Sequence, residues 1–238
     1  MKKILILIFF SVSLFAFKFS YLKLNNIDNE TLLTTSAPYK QFLAGYVKKN
    51  KFTIITHIND KKTLRYLPET NKSIYIQNKT FGTIISTNLY YDQDLSINFY
   101  PDYNNLWINK PIFIYLPFHN IAIVVIDINK NNKFSEIYDL KNVFNFYKKY
   151  DNLVFVGDFK SSKNYLKNIY DKQHIFINKI NTKIVFDNKI NFDLNVLSNN
   201  NIKVEIDKAI IEKSLIGYKD FKNLTSYYPI IINYENEY

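Results

Sequence analysis

Cysteine is absent from this 238-residue sequence, so disulfides, thiolate nucleophiles and cysteine-ligated metal sites are excluded. Glycine occurs only four times, which excludes a glycine-rich loop that wraps a phosphate group. The three histidines, His57, His119 and His174, lie too far apart in sequence to form a local zinc motif. These absences remove thiol chemistry, glycine-rich phosphate loops and local zinc motifs from consideration.

Arginine is almost as scarce: Arg65 is the only one, and lysine supplies nearly all of the positive charge behind the net charge of +10. A basic chain with 17% aromatic residues suggests a nucleic-acid surface. Lysine, asparagine, isoleucine, tyrosine and phenylalanine are all encoded by A/T-rich codons, however, so genome composition explains the same bias. Arginine is the preferred residue for bidentate phosphate contacts, and its scarcity argues against a dedicated nucleic-acid binder. An anionic partner, nucleic acid or a phosphorylated ligand, stays one expectation beside a protein partner.

The N-terminus has the pattern of a Sec-type signal peptide. Met1-Lys2-Lys3 precedes an apolar run from Ile4 to Phe17, which has the length of a signal-peptide core and is short for a membrane span. Ala16 provides a small residue for cleavage. We therefore predict a signal peptide over residues 1–17, a single domain without a transmembrane span over residues 18–238, and a periplasmic or secreted location. The alternative is an uncleaved membrane anchor.

Short apolar stretches separated by polar turns predict more strands than helices. One predicted helix opens at Ser36-Ala37-Pro38, and the clearest one covers Ser135 to Tyr150, with its apolar residues on one face. The predicted fold class is α+β, a four-layer α/β/β/α sandwich of two mixed sheets covered by helices. The predicted strands are Lys18–Leu24, Phe52–Ile58, Ser73–Gln77, Thr83–Thr87, Leu95–Phe99, Ile112–Leu116, Ile121–Ile126, Leu153–Val156, Ile184–Asp187, Val204–Ile211 and Ile230–Asn233.

The stretch from Leu153 to Lys160 is the part of the sequence that most resembles a functional element. Four apolar residues predict a strand buried on both faces, which breaks at Gly157 and delivers the carboxylate of Asp158 at its carboxyl end. Open sheets covered by helices place their ligand sites just outside such strand ends. Asp158 therefore either binds a metal or orients a catalytic group, or it caps a Gly-Asp turn.

The order of these features resembles the endonuclease/exonuclease/phosphatase superfamily, the fold of DNase I-like nucleases and of the nuclease subunit of cytolethal distending toxins. Gly157-Asp158-Phe159 is similar to the family's Gly-Asp-Phe-Asn motif. The segment from Val204 to Ile211 is similar to its late strand with an Asp, which here is Asp207. The segment from Thr225 to Ile230 is similar to its closing Ser-Asp-His-Tyr-Pro-Val element. The resemblance implies metal-assisted hydrolysis of phosphodiesters or phosphomonoesters.

The resemblance also implies a set of catalytic residues, and this chain departs from most of them. In the family an early Glu holds Mg²⁺, and an Asp-His pair activates water. A second His, with the acid and amide of Gly-Asp-Phe-Asn, stabilises the reacting phosphorus. Here the acid of that motif is kept as Asp158. The Asn of the first strand corresponds to Leu22, and the Gln-Glu pair of the second strand corresponds to Thr56-His57 or to Ile58-Asn59. The middle His corresponds to Asp127, and the Asn of the Gly-Asp-Phe-Asn motif to Lys160. The closing Asp-His pair corresponds to Ser226-Tyr227.

These departures remove the groups that do the chemistry. Tyrosine, with a pKa of about 10, is a poor base at neutral pH, so Tyr227 does not replace the closing His. Asp127 would repel a phosphate group where the family has a His, and loss of one such stabiliser typically costs about 10²–10³ in rate. Lys160 is expected to form an ion pair with Asp158 and to reduce its affinity for a metal.

Three hypotheses follow from this pattern. The first is an exported, non-catalytic member of the fold, a pseudoenzyme without a cofactor that acts by binding. The second is a divalent-metal nuclease, phosphodiesterase or phosphatase with a rearranged site. The third is an interaction subunit, analogous to an inactive toxin component. The second hypothesis uses Asp158, Asp127 and Asp207 as residual catalytic residues, Asp158 as a ligand of Mg²⁺, and Lys160, Ser226 and Tyr227 at the substrate.

Two further features complete the sequence-based expectations. His57 is predicted to be a hydrogen-bonded structural residue of its strand. Trp107, with Tyr100 and Tyr103, forms either an exposed binding surface or the core of a loop, and the sequence leaves both open.

Overall fold

A computed structural model describes residues 17–27, 37–88, 94–160, 166, 175–176, 194–198, 202–207, 225 and 229–234. The chain forms two six-stranded sheets that pack face to face. The first sheet has the order β11-β12-β1-β2-β4-β3. Within it β1 and β2 are parallel, and the other neighbours are antiparallel. Its strands are β1 Phe17–Ile27, β2 Phe52–Ile58, β3 Lys72–Gln77, β4 Gly82–Thr87, β11 Ile202–Ile206 and β12 Ile230–Tyr234.

The second sheet has the order β5-β6-β7-β8-β10-β9. Here β7 and β8 are the parallel pair, and the helix between them supplies the crossover that a parallel connection requires. The strands are β5 Ser96–Phe99, β6 Ile112–Leu116, β7 Ile121–Asp127, β8 Leu153–Asp158, β9 Ile175–Phe176 and β10 Asn195–Ser198. Each sheet therefore has one parallel strand pair near its centre.

The main hydrophobic core lies between the two sheets. Alternate residues of each strand point into it, as the two-residue period of a strand requires. Phe19 and Phe52 from the first sheet meet Ile114, Ile123 and Val154 from the second, and all of them are 0–1% exposed. Burial of this apolar surface holds the sheets together.

Two helices cover the outer faces of the sandwich. Helix α1, Ala37–Lys49, packs on the first sheet through Phe42, Leu43 and Tyr46. Helix α2, Lys133–Tyr147, packs on the second sheet, where Phe144 contacts Phe155 with ring centroids 4.7 Å apart. Short 3-10 segments cover Lys61–Tyr66, Pro117–His119 and Lys130–Asn132. Among the described residues, no helix is long and apolar enough to cross a membrane.

The structure confirms the predicted α/β/β/α sandwich of two mixed sheets. The predicted strands between Phe52 and Val156 coincide with β2 to β8 within two residues at each end. The predicted strand Val204–Ile211 corresponds to β11, which ends at Ile206. Ile184–Asp187 lies outside the described residues. The sequence did not predict β9 and β10, which are short and take their place by pairing with β8 and with each other.

Candidate functional site

Five polar side chains from both sheets form an ion-pair cluster at one edge of the sandwich. Strands β1 and β2 of the first sheet supply Lys23 and His57. Strands β7 and β8 of the second sheet end in Asp127 and Asp158, and Lys160 follows β8. Because the carboxyl-terminal parts of all four strands contribute, the cluster lies where sheets of this kind place their ligands.

Lys23 is the centre of the cluster. Along β1 the side chains of Phe17, Phe19 and Tyr21 enter the core between the sheets, and the two-residue period carries Lys23 to the same face. Its side chain is only 8% exposed. Its Nζ donates to Asp158 Oδ2 at 2.9 Å and to Asp127 Oδ1 at 3.3 Å. One ammonium group therefore joins the two carboxylates across the sandwich.

The two carboxylates are adjacent because β7 and β8 are parallel and in register. Asp127 is the register partner of Asp158, and Ile126 is the partner of Gly157. The predicted break of the strand at Gly157 is wrong, because β8 continues through Asp158. Gly157 has a φ of 141°, and a β-carbon there would overlap the carbonyl oxygen of Ile126. Glycine thus allows the close approach of the strands that places both acids at one edge.

His57 reaches the cluster through an irregularity in β2. The pairing of β2 with β4 shifts between Thr56 and Ile58, and His57 has a positive φ of 64°. Its ring stacks on Phe81, with the centroids 4.1 Å apart and the planes 13° from parallel. Its Nε2 binds Oδ2 of Asp127. A regular strand would place the side chain of His57 differently, and the bulge therefore turns it towards the other sheet.

Lys160 closes the cluster from the segment after β8. It has a φ of 46°, its backbone N–H donates to Asp158 Oδ1 at 3.2 Å, and its Nζ binds Oδ2 of the same carboxylate. Burial lowers the pKa of Lys160, as does the neighbouring charge of Lys23, against the opposing effect of Asp158. The structure thus contains the expected Lys160–Asp158 ion pair.

The electrostatic balance of the cluster favours the ionised form of Asp127. Burial alone would raise the pKa of Asp127, but Lys23 and then His57 outweigh it and hold that pKa well below its usual range. The side chains of Asp127 and Asp158 are 6% and 1% exposed, so water screens these pairs little. The positive charges of Lys23 and Lys160 offset the negative charges of Asp127 and Asp158 within the protein itself. In the described part of the chain, no group of three or more His, Cys, Asp or Glu side chains is arranged to hold a metal ion.

The other candidate residues lie elsewhere or outside the described residues. Asp207 is buried and binds Nζ of Lys49 through both carboxylate oxygens, at 3.0 and 3.1 Å. The structure therefore brings Asp127 and Asp158 together at Lys23, and gives Asp207 a lysine partner at the end of α1. Ser226 and Tyr227 fall outside the residues that the structure describes.

Sequence reasoning missed Lys23. The alignment of motifs placed the family's first-strand Asn at Leu22, whose side chain faces α1 on the opposite side of the sheet. The signal that identifies Lys23 is the alternation of Phe17, Phe19 and Tyr21, which puts the next core-facing side chain at residue 23. The family's Gln-Glu pair was expected at Thr56-His57 or at Ile58-Asn59, and the structure places His57 in the cluster.

Comparison with known proteins gives a match at the level of structure. No protein-family model and no curated protein matches the sequence. Among solved structures, the chain is similar to TDP2 from Caenorhabditis elegans, with a TM-score of 0.64 and 10% identity over 93% of this chain and 76% of that one. It is also similar to NExo, a 3′-5′ exonuclease from Neisseria meningitidis, with a TM-score of 0.59 and 12% identity over 92% of this chain and all of that one. A functionally unknown conserved protein from Enterococcus faecalis V583 matches with a TM-score of 0.59 and 8% identity, over 92% of this chain and 100% of that one. At these identities the comparisons show a shared fold.

Proposed function

Because this chain has the endonuclease/exonuclease/phosphatase (DNase I-like) fold that its sequence resemblance implied, we propose that it is a non-catalytic member of that fold which acts by binding. One observation carries the proposal: the ammonium group of Lys23 lies between Asp127 and Asp158. A divalent cation that used these two carboxylates would have to take the place of this ammonium group.

Displacement of Lys23 would be costly. The lysine side chain is 8% exposed, so a metal would leave a second cation buried beside it or force the side chain out of the core. Lys160 adds a further positive charge on Asp158. A metal ion would therefore enter a site whose negative charge is already offset, and like charges would repel it. Without a metal the fold lacks the group that polarises the phosphate.

The ring nitrogen Nε2 of the cluster's imidazole is engaged with a carboxylate. His57 is held by Asp127, which Lys23 also binds. Tyr227, which stands where the family has the closing His, is a weak base at neutral pH. The ion pairs of Lys23 with Asp127 and Asp158 are instead suited to holding the two sheets together.

A second candidate function is a divalent-metal phosphodiesterase or phosphatase with a rearranged site. It is favoured by the meeting of Asp127 and Asp158 at one edge, and by the His57–Asp127 pair, because a carboxylate that orients a histidine is a common arrangement for a general base. Asp158 would then hold Mg²⁺ after Lys23 and Lys160 withdraw. Lys160, Ser226 and Tyr227 would contact the substrate, and the bond of Asp207 to Lys49 leaves Asp207 a supporting role.

The two functions are separated by a hydrolysis assay with a matched variant. Purified protein is incubated with supercoiled plasmid, and separately with a phosphomonoester, in the presence of Mg²⁺ or Mn²⁺. We expect no nicking and no phosphate release above the level of Asp158→Ala. Metal-dependent activity in the wild type that disappears in Asp158→Ala would show that the protein is an enzyme. Activity that persists in Asp158→Ala is assigned to contaminating nuclease, and Tyr138→Ala, an exposed change on α2, controls for the effect of an unrelated substitution.

The proposal includes export to the periplasm or beyond and a partner outside the cytoplasm. The basic n-region and apolar run of the N-terminus support export. Phe17 is the first residue of β1 and is 3% exposed in the core, so cleavage after Ala16 would keep this packing intact. The net charge of +10 favours an anionic partner, a nucleic acid or a phosphorylated ligand, and a protein partner is the alternative.

A further inference from the structure

A recess of about 410 Å³ lies beside the C-terminal half of α2, next to the loop that follows β5. Its volume falls within the range of about 300–1,000 Å³ that small-molecule sites occupy. Three aromatic rings, two carboxylates and three asparagines line it, and none of them belongs to the ion-pair cluster. The rings are Tyr100, Tyr103 and Phe146, and the carboxylates are Asp102 and Asp139.

Both carboxylates are buried, with Asp102 7% and Asp139 3% exposed, and neutral groups satisfy them. Asp102 accepts from the backbone N–H groups of Leu106 and Trp107 at 2.9 and 3.0 Å. Asp139 accepts from Trp107 Nε1 and Asn142 Nδ2, both at 2.7 Å. Within the described ranges, neither acid forms an ion pair with a lysine, arginine or histidine. One wall of the recess thus holds two carboxylates that no cation of the described residues neutralises by an ion pair.

The negative potential of this wall acts on the neighbouring side chain of Tyr100. Burial, followed by the charges of Asp139 and Asp102, raises the pKa of Tyr100 to about 12. A positive charge placed in the recess would be attracted by the same two carboxylates. A ligand that complements this wall of the recess therefore carries a positive charge.

The aromatic rings define what kind of cation would fit. Tyr103 is 84% exposed, Phe146 is 40% exposed, and the rings of Tyr100 and Phe146 meet edge to face at 5.7 Å. Ring faces attract ammonium groups but contribute little to a small metal ion that requires several oxygen ligands. Lys149 Nζ lies 5.4 Å from the Phe146 centroid, so this ring already takes part in one ammonium–ring contact.

We propose that the recess between α2 and the loop after β5 binds an organic ammonium cation, with Asp102 and Asp139 supplying charge and Tyr103 a ring face. The site is independent of the proposed function, because it shares no residue with the ion-pair cluster. It would bind its ligand whether or not the protein hydrolyses phosphate esters.

The protein contains its own reporter for this binding. Trp107 is the only tryptophan, and its indole N–H donates to Asp139 in the wall of the recess. Tryptophan fluorescence is followed while choline chloride or n-butylamine hydrochloride is added at constant ionic strength. We expect a saturable change at millimolar concentration with at least one of them, and the comparison of the two distinguishes a quaternary from a primary ammonium ligand. The neutral isostere 3,3-dimethylbutan-1-ol should give no saturable change.

Two variants on exposed aromatic residues provide the matched comparison. Tyr103→Ala should weaken binding about two- to fivefold, which is the usual contribution of one cation–π contact. Tyr138→Ala, equally exposed on α2 but outside the recess, should leave the affinity unchanged. Asp139→Asn should weaken binding at least about tenfold, as expected for a charge-assisted contact. Tyr103→Ala keeps the test valid if loss of the Trp107 bond unfolds Asp139→Asn.

Several results would overturn the proposal. They are a lack of saturation with both ammonium compounds, an equal response to the neutral isostere, or a response to CaCl₂ alone. An equal loss of affinity in Tyr138→Ala and Tyr103→Ala would also refute it. These outcomes are read from fluorescence, so they do not depend on the result of the hydrolysis assay.

Discussion

Replacement of Lys23 by methionine is the sharpest perturbation of the ion-pair cluster. Methionine keeps an unbranched chain of similar length and removes the charge that lies 2.9 Å from Asp158 and 3.3 Å from Asp127. The two carboxylates of Asp158 and Asp127, 1% and 6% exposed, would then keep Lys160 and His57 as their described ion-pair partners at a buried edge. Removal of one partner from a buried ion pair typically costs about 3–5 kcal/mol.

This cost should be visible in thermal unfolding. For a chain of this size each kcal/mol corresponds to about 2–4 °C, so the melting temperature of Lys23→Met should fall by roughly 6–20 °C. The control is Lys203→Met, because Lys203 pairs with Glu205 at the surface, where the two side chains are 66% and 44% exposed. Screening by water makes such a pair weak, and we expect little change in melting temperature.

The same variant tests whether Lys23 stands in for a metal. With the ammonium group gone, Mg²⁺ or Mn²⁺ can approach the two carboxylates, and a cation that binds only the folded state raises its stability. We therefore expect either metal to raise the melting temperature of Lys23→Met and to leave the wild type unchanged. The reasoning is refuted if Lys23→Met loses no more stability than Lys203→Met, or if the wild type gains as much from metal as the variant.

Two other predictions concern a buried acid and the N-terminus. Glu136 is 0% exposed and accepts from the backbone N–H groups of Ile108 and Asn129 at 2.8 and 2.6 Å. Burial raises its pKa to about 7, so its contribution to stability is complete below the unfolded pKa of about 4.5 and is lost as pH rises through 7. Between pH 5 and pH 8 the wild type should lose up to about 3 kcal/mol of unfolding free energy relative to Glu136→Gln. Urea titrations that give the same difference between the two proteins at both pH values would contradict this. If the proposed signal peptide is removed, N-terminal sequencing of protein purified from cells that express the whole chain should find Phe17 or Lys18 as the first residue, and an intact Met1 would argue for an uncleaved anchor.

Much of the fold could be predicted from local sequence because the strands carry strong signals. Ile121–Asp127 and Leu153–Asp158 are continuous apolar runs that end in an acid, and a helix separates them. A parallel pair follows from this order, and the register of the pair brings the two acids together. β9, with two residues, has too little sequence to signal a strand, and its place depends on pairing with β10.

The candidate site was harder to predict because its key contacts join segments far apart in sequence. Asp158 was recognised from a motif, and Asp127 from its place at a strand end. Lys23 is separated from Asp158 by 135 positions, so only the alternation along β1 could indicate its direction. His57 depends on a bulge, and a bulge changes the direction of a side chain without a clear sequence signal.

In the proposed function, the cluster puts a set of fixed charges where the resemblance implies a metal site. Lys23 and Lys160 each lie at or next to a position where the resemblance implies an Asn, and His57 lies at or next to one where it implies a Glu. Each change therefore removes a potential metal ligand or adds a cation or a ring nitrogen. Lys23 and Lys160 bring to Asp127 and Asp158 the positive charge that a divalent ion would otherwise provide. Because Lys23 and His57 come from one sheet and the two acids from the other, the same contacts tie the sheets together. On this proposal the edge is stabilised by the protein's own ion pairs, and Lys23→Met is the variant that tests it.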